Sequence, residues 1–301
     1  MALDLSGIFA PLTTPFGADS SVAIAALKHN LGLYNQTGLA GYVALGSTGE
    51  AVYLSRGEGE AVLTAVKEAA GPGKLLIAGT GAESAVETIE RTRRAAEIGY
   101  PVALVKTPYY YKAQYTPSTL IDYFGRVADA APIPIVLYSV PKFTGVTLEA
   151  REVSALAAHP NVIGIKDSSG SVQRIGEMVA AAAPPFQVLT GSAAALHESL
   201  ARGARGAILA LACVLPEMCV ELYQAFRAGN QDRARELQGA LLPASKIVVS
   251  DGGPAGVKAG MDLRGYAGGA PRSPLAPVSG ELHAEIRRTL AGLPIRETAR
   301  A

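Results

Sequence analysis

The sequence predicts an α/β fold: a closed (β/α)8 TIM barrel with a C-terminal extension of three helices. Short apolar runs rich in β-branched residues alternate about eight times with helical segments rich in Ala, Glu and Arg, a pattern typical of a parallel sheet. Eight repeats within about 225 residues match the size of such a barrel. A doubly wound open sheet is the alternative, but the G-x-G-x-x-G fingerprint typical of that fold does not follow the first apolar run.

The strands are predicted at the apolar runs. They are residues 8–14, 41–47, 75–80, 102–107, 135–140, 162–166, 187–191 and 206–212. Helical periodicity fills the intervals, for instance at residues 56–70, 84–98, 117–130 and 147–158. Two of these helices begin with recognisable caps. Ser84 and Glu87 have the spacing of a capping box, and Thr116 precedes a proline at the first helical position.

The strand pattern ends at about residue 229. Residues 231–242, 254–263 and 279–290 then show helical periodicity and are separated by loops rich in Gly and Pro. We therefore predict a barrel at residues 1–229, which carries the active site, and a helical extension at residues 230–301.

The composition argues against several classes of protein. The 27 basic and 26 acidic residues nearly balance and form no basic stripe, so nucleic acid and anionic membranes are not expected partners. No apolar stretch approaches the ~20 residues that span a bilayer, and the N-terminus lacks the pattern of a secretion signal. Two cysteines, Cys213 and Cys219, are too few for a disulfide framework and are expected in the core. We expect a cytoplasmic protein.

Lys166 is the residue that points most directly to chemistry. It ends an apolar run, and burying an ammonium group is costly unless the site uses it. A lysine in an apolar pocket loses affinity for its proton, and its free amine becomes a nucleophile toward carbonyls. Schiff-base chemistry on a keto substrate follows, unless Lys166 reaches past the strand into water.

Two other lysines compete for this role. Lys106 also ends a strand, and Lys142 lies in a loop at the same predicted rim. Gly164 precedes Lys166 by two positions and faces the same side of the strand, so we expect it to leave room for the long side chain. Leu104 has the equivalent position before Lys106 and would crowd it.

A Schiff-base site also needs a proton shuttle. Tyr138, at the end of the preceding strand, is a candidate if its hydroxyl is hydrogen-bonded to another hydroxyl group. The turn at residues 46–49 offers amides and two hydroxyls at a helix start, where a carboxylate is favoured. A core tyrosine and a plain turn are the simpler interpretations.

Metal-dependent cleavage of a carbon–carbon bond is the competing mechanism, and it needs several His or carboxylate ligands on converging strands. None of the four histidines falls at the end of a predicted strand. We therefore expect no metal and no cofactor.

Five motifs, in order along nearly the whole chain, resemble the dihydrodipicolinate synthase / N-acetylneuraminate lyase family of pyruvate-dependent barrel enzymes. They are Gly46-Ser47-Thr48-Gly49-Glu50, Ala78-Gly79-Thr80-Gly81, Thr107-Pro108-Tyr109-Tyr110, Leu137-Tyr138-Ser139-Val140-Pro141 and Gly164-Ile165-Lys166-Asp167. The resemblance implies that Lys166 forms the Schiff base, that Tyr138 is the acid/base and that Thr48 and Tyr110 relay protons. It also implies a homo-oligomer, a dimer of dimers, in which Tyr110 reaches a neighbouring subunit's site.

The same resemblance implies the residues that bind substrate. Ser47 and Thr48 match the pyruvate carboxylate site, and Gly191 and Ile208 match positions that line the pocket. Two further contacts are expected, from Ser168 beside the lysine and from Phe143 near the aldehyde.

Phe143 also bears on the reaction. Synthases of the family carry an arginine at this position, where it grips the carboxylate of the second substrate, and a phenyl ring cannot form that bidentate pair. Several motifs look more like 4-hydroxy-2-oxoglutarate aldolases. We therefore expect cleavage or formation of a 4-hydroxy-2-keto acid from pyruvate and an aldehyde. The alternative is dihydrodipicolinate synthase, which condenses pyruvate with aspartate semialdehyde.

Three further expectations accompany this interpretation. Arg56, Gly59 and Glu83 depart from the family's lysine-feedback pocket, so inhibition by lysine is not expected. A phosphate-binding barrel using the glycines near residues 191 and 252 is a hypothesis of another class. A non-catalytic sensor of keto acids is a third.

Overall fold

The computed structural model describes residues 3–294. Its eight strands follow one another in a closed barrel, and the strand pairs within it are parallel. The strands are β1 Gly7–Pro11, β2 Gly41–Ala44, β3 Leu75–Gly79, β4 Val102–Lys106, β5 Ile135–Ser139, β6 Val162–Asp167, β7 Gln187–Thr190 and β8 Gly206–Ile208. The predicted TIM barrel is confirmed, and every predicted strand is present.

Helices fill the intervals and continue past the last strand. They are α1 Ile24–Tyr34, α2 Arg56–Ala69, α3 Ala85–Ile98, α4 Pro117–Ala130, α5 Pro141–Thr144, α6 Ala150–Ala157, α7 Val172–Ala181, α8 Leu196–Ala201, α9 Pro216–Arg227, α10 Gln231–Ala244, α11 Gly253–Leu263 and α12 Gly280–Ala291. No helix within residues 3–294 combines the length and apolar character that crossing a bilayer requires.

The predicted caps mark where helices begin. Thr116 and Thr119 form a reciprocal capping box at α4, with Pro117 at the first helical position. At α3 the Ser84 side chain accepts the amide of Glu87. These local signals account for the close agreement between predicted and observed helix starts.

The C-terminal helices differ from the prediction in one detail. The helix predicted at residues 231–242 extends to Ala244 and runs on as a π-helix, Ser245–Asp251. Pro243 lies inside α10 and has no amide hydrogen to donate. The glycines at 252 and 256 then allow a close approach, because a Cβ on Gly256 would lie 2.4 Å from the Val248 carbonyl oxygen. The last part of the predicted extension, residues 295–301, falls outside the described residues.

The chain forms two compact units. The first contains residues 3–7 and 76–208, and the second contains residues 8–75 and 209–294. In the first unit, strand residues such as Val105, Leu137 and Ile165 pack with Phe124 and Val153 from the helices. The division predicted at residue 229 stays a prediction.

The core of the second unit includes both cysteines. Cys213 and Cys219 are free and buried, as expected. Tyr34 stacks on Tyr266 at a ring-centroid distance of 4.7 Å, and its hydroxyl donates to the Cys213 carbonyl oxygen at 2.6 Å.

Candidate active site

Lys166 and Tyr138 are neighbours across two parallel strands. They are register partners on β6 and β5, and each is only 5% exposed. The Lys166 Nζ lies 4.3 Å from the centroid of the Tyr138 ring. Lys166 therefore points into a closed environment beside the phenol, and the alternative that it reaches past the strand into water is wrong.

Gly191, rather than Gly164, provides the space for Lys166. A Cβ on Gly191 would lie 3.1 Å from the Lys166 Cε and 1.9 Å from the Ser168 Oγ. A Cβ on Gly164 would instead meet the carbonyl oxygen of Gln187 at 2.4 Å. The prediction that Gly164 leaves room for the lysine is wrong, because the backbone of the neighbouring strand occupies that space.

Three lysines of the structure are largely withdrawn from solvent, and their partners differ. Lys258 is fully buried and lies 2.6 Å from Glu50. Lys106 lies 3.4 Å from Glu83, with its side chain 18% exposed. Among the described residues, Lys166 forms no ion pair with a carboxylate. Lys166 therefore differs from the other two by lying against a phenol ring rather than beside a carboxylate.

The competing lysines have other contacts. Lys106 also lies 4.6 Å from the centroid of the Tyr109 ring. Burial lowers the pKa of Lys106 from its usual value, and the nearby carboxylate of Glu83 opposes that shift. Lys142 is exposed on α5. Neither shares the closed environment of Lys166.

The turn after Lys166 is fixed on both sides. Ser168 donates its amide to the Ser139 carbonyl oxygen at 2.9 Å. The buried Asp167 carboxylate accepts both the amide and the hydroxyl of Ser169, and its second oxygen lies 3.6 Å from the Arg174 guanidinium. This network orients Ser168 toward Gly191, which supports the prediction that Ser168 lies beside the lysine.

Phe143 lies on the short helix α5, directly after Tyr138 and its strand. Its side chain is 55% exposed. The buried Thr144 hydroxyl accepts from Thr107, at the end of β4, at 3.1 Å, and it donates to the Val140 carbonyl oxygen. These two hydrogen bonds hold α5 against the strand ends, and the phenyl ring of Phe143 stays exposed to solvent.

Tyr110 does not contribute its side chain to the surroundings of Lys166 in its own chain. It is 73% exposed, and its ring packs edge to face against Tyr111 at 4.9 Å. Within the described part of the chain, no hydrogen bond joins Tyr110 to Lys166 or Tyr138. Its backbone amide donates to Glu83 at 2.8 Å. Ile208, also predicted to line the pocket, is fully buried at the end of β8.

Ser47 and Thr48 lie in the second unit, within a single 3-10 turn, Ser47–Gly49. This is a 3-10 turn and not the start of an α-helix, so a macrodipole would contribute less to carboxylate binding than the amides and hydroxyls of the turn. The turn itself is held firmly, since Thr14 donates to the Gly49 carbonyl oxygen at 2.7 Å. The carboxylate-binding role of Ser47 and Thr48 stays a prediction.

Backbone strain flanks this turn. Leu45 and Glu50 adopt positive φ angles of 60° and 53°, a conformation that residues other than glycine rarely adopt and that recurs at functional sites. The Glu50 carboxylate binds the Lys258 ammonium on one oxygen and the Arg272 amide on the other. The buried pair therefore holds Glu50 in this conformation.

Lys258 and Arg272 form a cluster that the sequence analysis missed. The Lys258 Nζ and the Arg272 Cζ each lie 4.3 Å from the centroid of the Phe16 ring. Burial lowers the pKa of Lys258, opposed by its bond to Glu50. The only signal in the sequence was a lysine among apolar and small residues in a predicted helix, and its carboxylate partner lies about 200 residues away.

Known proteins match this chain over nearly its full length. A profile described as the dihydrodipicolinate synthetase family covers residues 4–293. A 4-hydroxy-tetrahydrodipicolinate synthase from an Exiguobacterium species is 36% identical over 93% of this chain and 95% of the relative. A probable mitochondrial 4-hydroxy-2-oxoglutarate aldolase from Emericella nidulans is 33% identical over 95% of this chain and 94% of the relative.

A solved structure agrees with these relatives. YagE, a prophage protein of the dihydrodipicolinic acid synthase family from E. coli K12, was solved in complex with pyruvate. It superposes with a TM-score of 0.90 at 29% identity, covering 95% of this chain and 98% of YagE.

These relatives match the whole length of a parallel barrel that has a buried lysine at the end of its sixth strand. The protein is therefore a carbon–carbon lyase of the pyruvate-dependent class I aldolase type. The chain belongs to the dihydrodipicolinate synthetase family. The resemblance predicted from the five motifs is confirmed.

Proposed function

We propose that this protein cleaves, and in reverse forms, a 4-hydroxy-2-keto acid such as 4-hydroxy-2-oxoglutarate, through a Schiff base on Lys166. The observation that carries the proposal is the environment of Lys166. It is buried beside Tyr138 and has no carboxylate partner in the described chain, whereas Lys258 and Lys106 are both paired.

The first chemical step is attack of the neutral Lys166 amine on the C2 carbonyl of the keto acid. Proton transfers to and from the carbinolamine allow water to leave, which yields a protonated imine. Tyr138 is the group that we propose moves these protons, and the 4.3 Å between its ring centroid and the Lys166 Nζ supports this role. The imine adjoins the substrate carboxylate, for which Ser47 and Thr48 are the proposed binding residues.

The imine then accepts electrons from the bond that breaks. Removal of the proton from the 4-hydroxyl group allows the C3–C4 bond to break, the aldehyde leaves, and the electron pair forms an enamine with the Lys166 nitrogen. Protonation at C3 and hydrolysis of the imine release pyruvate and restore the amine. Oxidation states balance without a redox partner, and water is lost and regained once.

Phe143 supports the aldolase over the synthase. It lies on the helix that follows Tyr138, where its apolar ring offers no bidentate partner to a second carboxylate. The aldolase from Emericella nidulans supports the same choice. The Exiguobacterium relative, which is named a synthase, favours the second candidate, condensation of pyruvate with aspartate semialdehyde.

Tyr110 supports a role for a second copy of the chain. Its ring is exposed and pairs with the exposed Tyr111, an arrangement suited to contact with another subunit. We propose a homo-oligomer, arranged as a dimer of dimers, in which Tyr110 completes the proton relay of a neighbouring site.

The test compares both reactions on one preparation. We expect kcat/KM for cleavage of 4-hydroxy-2-oxoglutarate to exceed kcat/KM for condensation with aspartate semialdehyde by about 100-fold or more. Expression in a synthase-deficient lysine auxotroph provides an independent measurement. Rescue of growth at ordinary expression, together with efficient condensation, would contradict the proposed aldolase function and would support the synthase function instead.

A further inference from the structure

The loop after β4 contains three consecutive tyrosines and little regular structure. Only one 3-10 turn, Lys112–Gln114, lies between the end of β4 and the start of α4 in the described chain. Tyr110 and Tyr111 are both exposed. Some other element must determine where this loop presents its side chains.

Glu83 makes the contacts that do so. One carboxylate oxygen accepts the amides of two consecutive loop residues, Tyr109 at 2.9 Å and Tyr110 at 2.8 Å. The other oxygen lies 3.4 Å from the Lys106 Nζ, at the root of the loop. Hydrogen bonds to a carboxylate are stronger than neutral ones, so two adjacent amides fixed by one oxygen define the local course of the backbone.

Glu83 is itself anchored through the residue before it. The amide of Ala82 donates to the Thr88 hydroxyl at 3.0 Å, and the Ala82 carbonyl oxygen accepts from the Tyr123 hydroxyl at 2.9 Å. Tyr123 and Thr88 also bond to each other at 2.7 Å. All three residues are buried, so the carboxylate extends from a rigid base.

A glycine completes the arrangement. A Cβ on Gly81 would lie 2.6 Å from the Lys106 amide nitrogen and 2.8 Å from its Cγ. The absence of a side chain at Gly81 therefore allows β4 and Lys106 to approach the segment that carries Glu83. A single carboxylate therefore bonds to the loop at Tyr109 and Tyr110 and also lies near Lys106 at its root.

We infer that Glu83 is a positioning residue for Tyr110, which it presents by holding the loop backbone. This inference rests on the proposed function, in which Tyr110 relays protons. The ion pair with Lys106 contributes little, because the Glu83 side chain is 39% exposed and exposed pairs are weak. The two amide bonds carry the effect, and a neutral acceptor of the same shape should preserve much of it.

Amide hydrogen exchange tests the positioning directly. We expect the amides of Tyr109 and Tyr110 to be protected in the wild type and in Glu83→Gln, which keeps a carbonyl acceptor. In Glu83→Ala they should exchange about tenfold faster or more. Light scattering on each variant separates loosening of the loop from dissociation of an oligomer. Unchanged exchange in Glu83→Ala would overturn the inference, whatever the reaction catalysed.

Kinetics test the consequence for Tyr110. We expect Glu83→Ala to lower kcat about 10- to 100-fold, with KM for the keto acid nearly unchanged, because a misplaced relay group slows chemistry more than binding. Glu83→Gln should stay within about threefold of the wild type. The control is Glu87→Gln, which removes a carboxylate that pairs with Arg91 on the same helix.

A double-mutant cycle shows whether Glu83 acts through Tyr110. Adding Glu83→Ala to Tyr110→Phe should lower kcat by no more than about twofold further, because the relay is already lost. Losses that multiply would contradict the inference, as would a Glu83→Gln variant as impaired as Glu83→Ala. A pyruvate adduct on Lys166 in the wild type tests the proposed function separately, so the two failures remain distinguishable.

Discussion

The Lys166 Nζ lies over the Tyr138 ring, 4.3 Å from its centroid, because the two residues are register partners on adjacent parallel strands. A potential nucleophile and a potential acid/base therefore lie side by side, and both are carried by strands rather than by loops. Groups held on strands are positioned more rigidly than groups on loops. The pair is the basis of the mechanism proposed for this lyase.

Replacement of Gly191 should disable the site. In Gly191→Ala the new methyl group would lie 1.9 Å from the Ser168 Oγ and 3.1 Å from the Lys166 Cε. We expect kcat/KM to fall about 100-fold, because displacement of a reacting group by about 1 Å has an effect of that size. Steady-state kinetics measure the loss.

Two variants control this experiment. Gly125→Ala, where nothing lies within 4 Å of the added Cβ, should leave activity unchanged. Ser168→Gly combined with Gly191→Ala removes the worst contact and should recover part of the rate. Full activity of Gly191→Ala alone would show that neither Ser168 nor Lys166 needs its observed position.

Phe143→Arg should shift the choice of aldehyde. Its side chain is 55% exposed on α5, so a guanidinium group fits without disturbing the core. A charged hydrogen-bonding partner contributes about 1.5–3 kcal/mol, so kcat/KM with aspartate semialdehyde should rise about 10- to 100-fold. Phe143→Leu is the uncharged control, and an equal gain in that variant would mean that size, rather than charge, governs the acceptor.

Lys258→Met should destabilise the protein strongly. Lys258 is fully buried against Glu50, and removal of one partner leaves a buried charge without compensation. Breaking such a pair costs about 3–5 kcal/mol in the free energy of unfolding, which denaturant titration measures. Lys246→Met breaks an exposed pair with Asp251 and should change the free energy of unfolding by about 0.5 kcal/mol or less.

Acid stability should depend on Glu58. The bond with Arg272 lowers the pKa of Glu58 from 4.5 to about 2 in the folded protein. A group with a depressed folded pKa stabilises fully above its unfolded pKa, and this stabilisation is lost as the pH falls toward about 2. Glu58→Gln should therefore have a lower Tm than the wild type at neutral pH. The difference in Tm between the two proteins should be smaller at about pH 3.

Glu68→Gln provides the comparison for the acid experiment. Glu68 pairs with Lys28 at an exposed position, so its replacement should have little effect on Tm at any pH. A difference between Glu58→Gln and the wild type that stays constant across the acid range would contradict the assigned cause.

Much of this fold and part of its site could be predicted from the sequence. Apolar runs and helix caps are local, and they located all eight strands of the described chain. Lys166 was predicted because a charge that ends a buried run is itself a local anomaly. The capping threonine of α4 was predicted because a helix cap is also a local pattern in the sequence.

The errors concern what fills the space around a residue. Strand parity predicted which side Gly164 faces, yet it could not reveal that the Gln187 backbone occupies that side. The contacts of Glu83 and Lys258 were not predicted because their partners lie far along the chain. Pairings of this kind depend on the packing of separate elements, which local patterns do not encode.

Borohydride trapping tests the central claim most directly. Pyruvate and borohydride are added to the wild type, Lys166→Ala and Lys106→Ala, followed by intact-mass measurement and peptide mapping. We expect one reduced pyruvate adduct, an N-(1-carboxyethyl) group, on Lys166 in the wild type and in Lys106→Ala, and none in Lys166→Ala. A folded wild-type protein without an adduct, or an adduct on Lys106, would contradict the assignment of Lys166 as the Schiff-base residue.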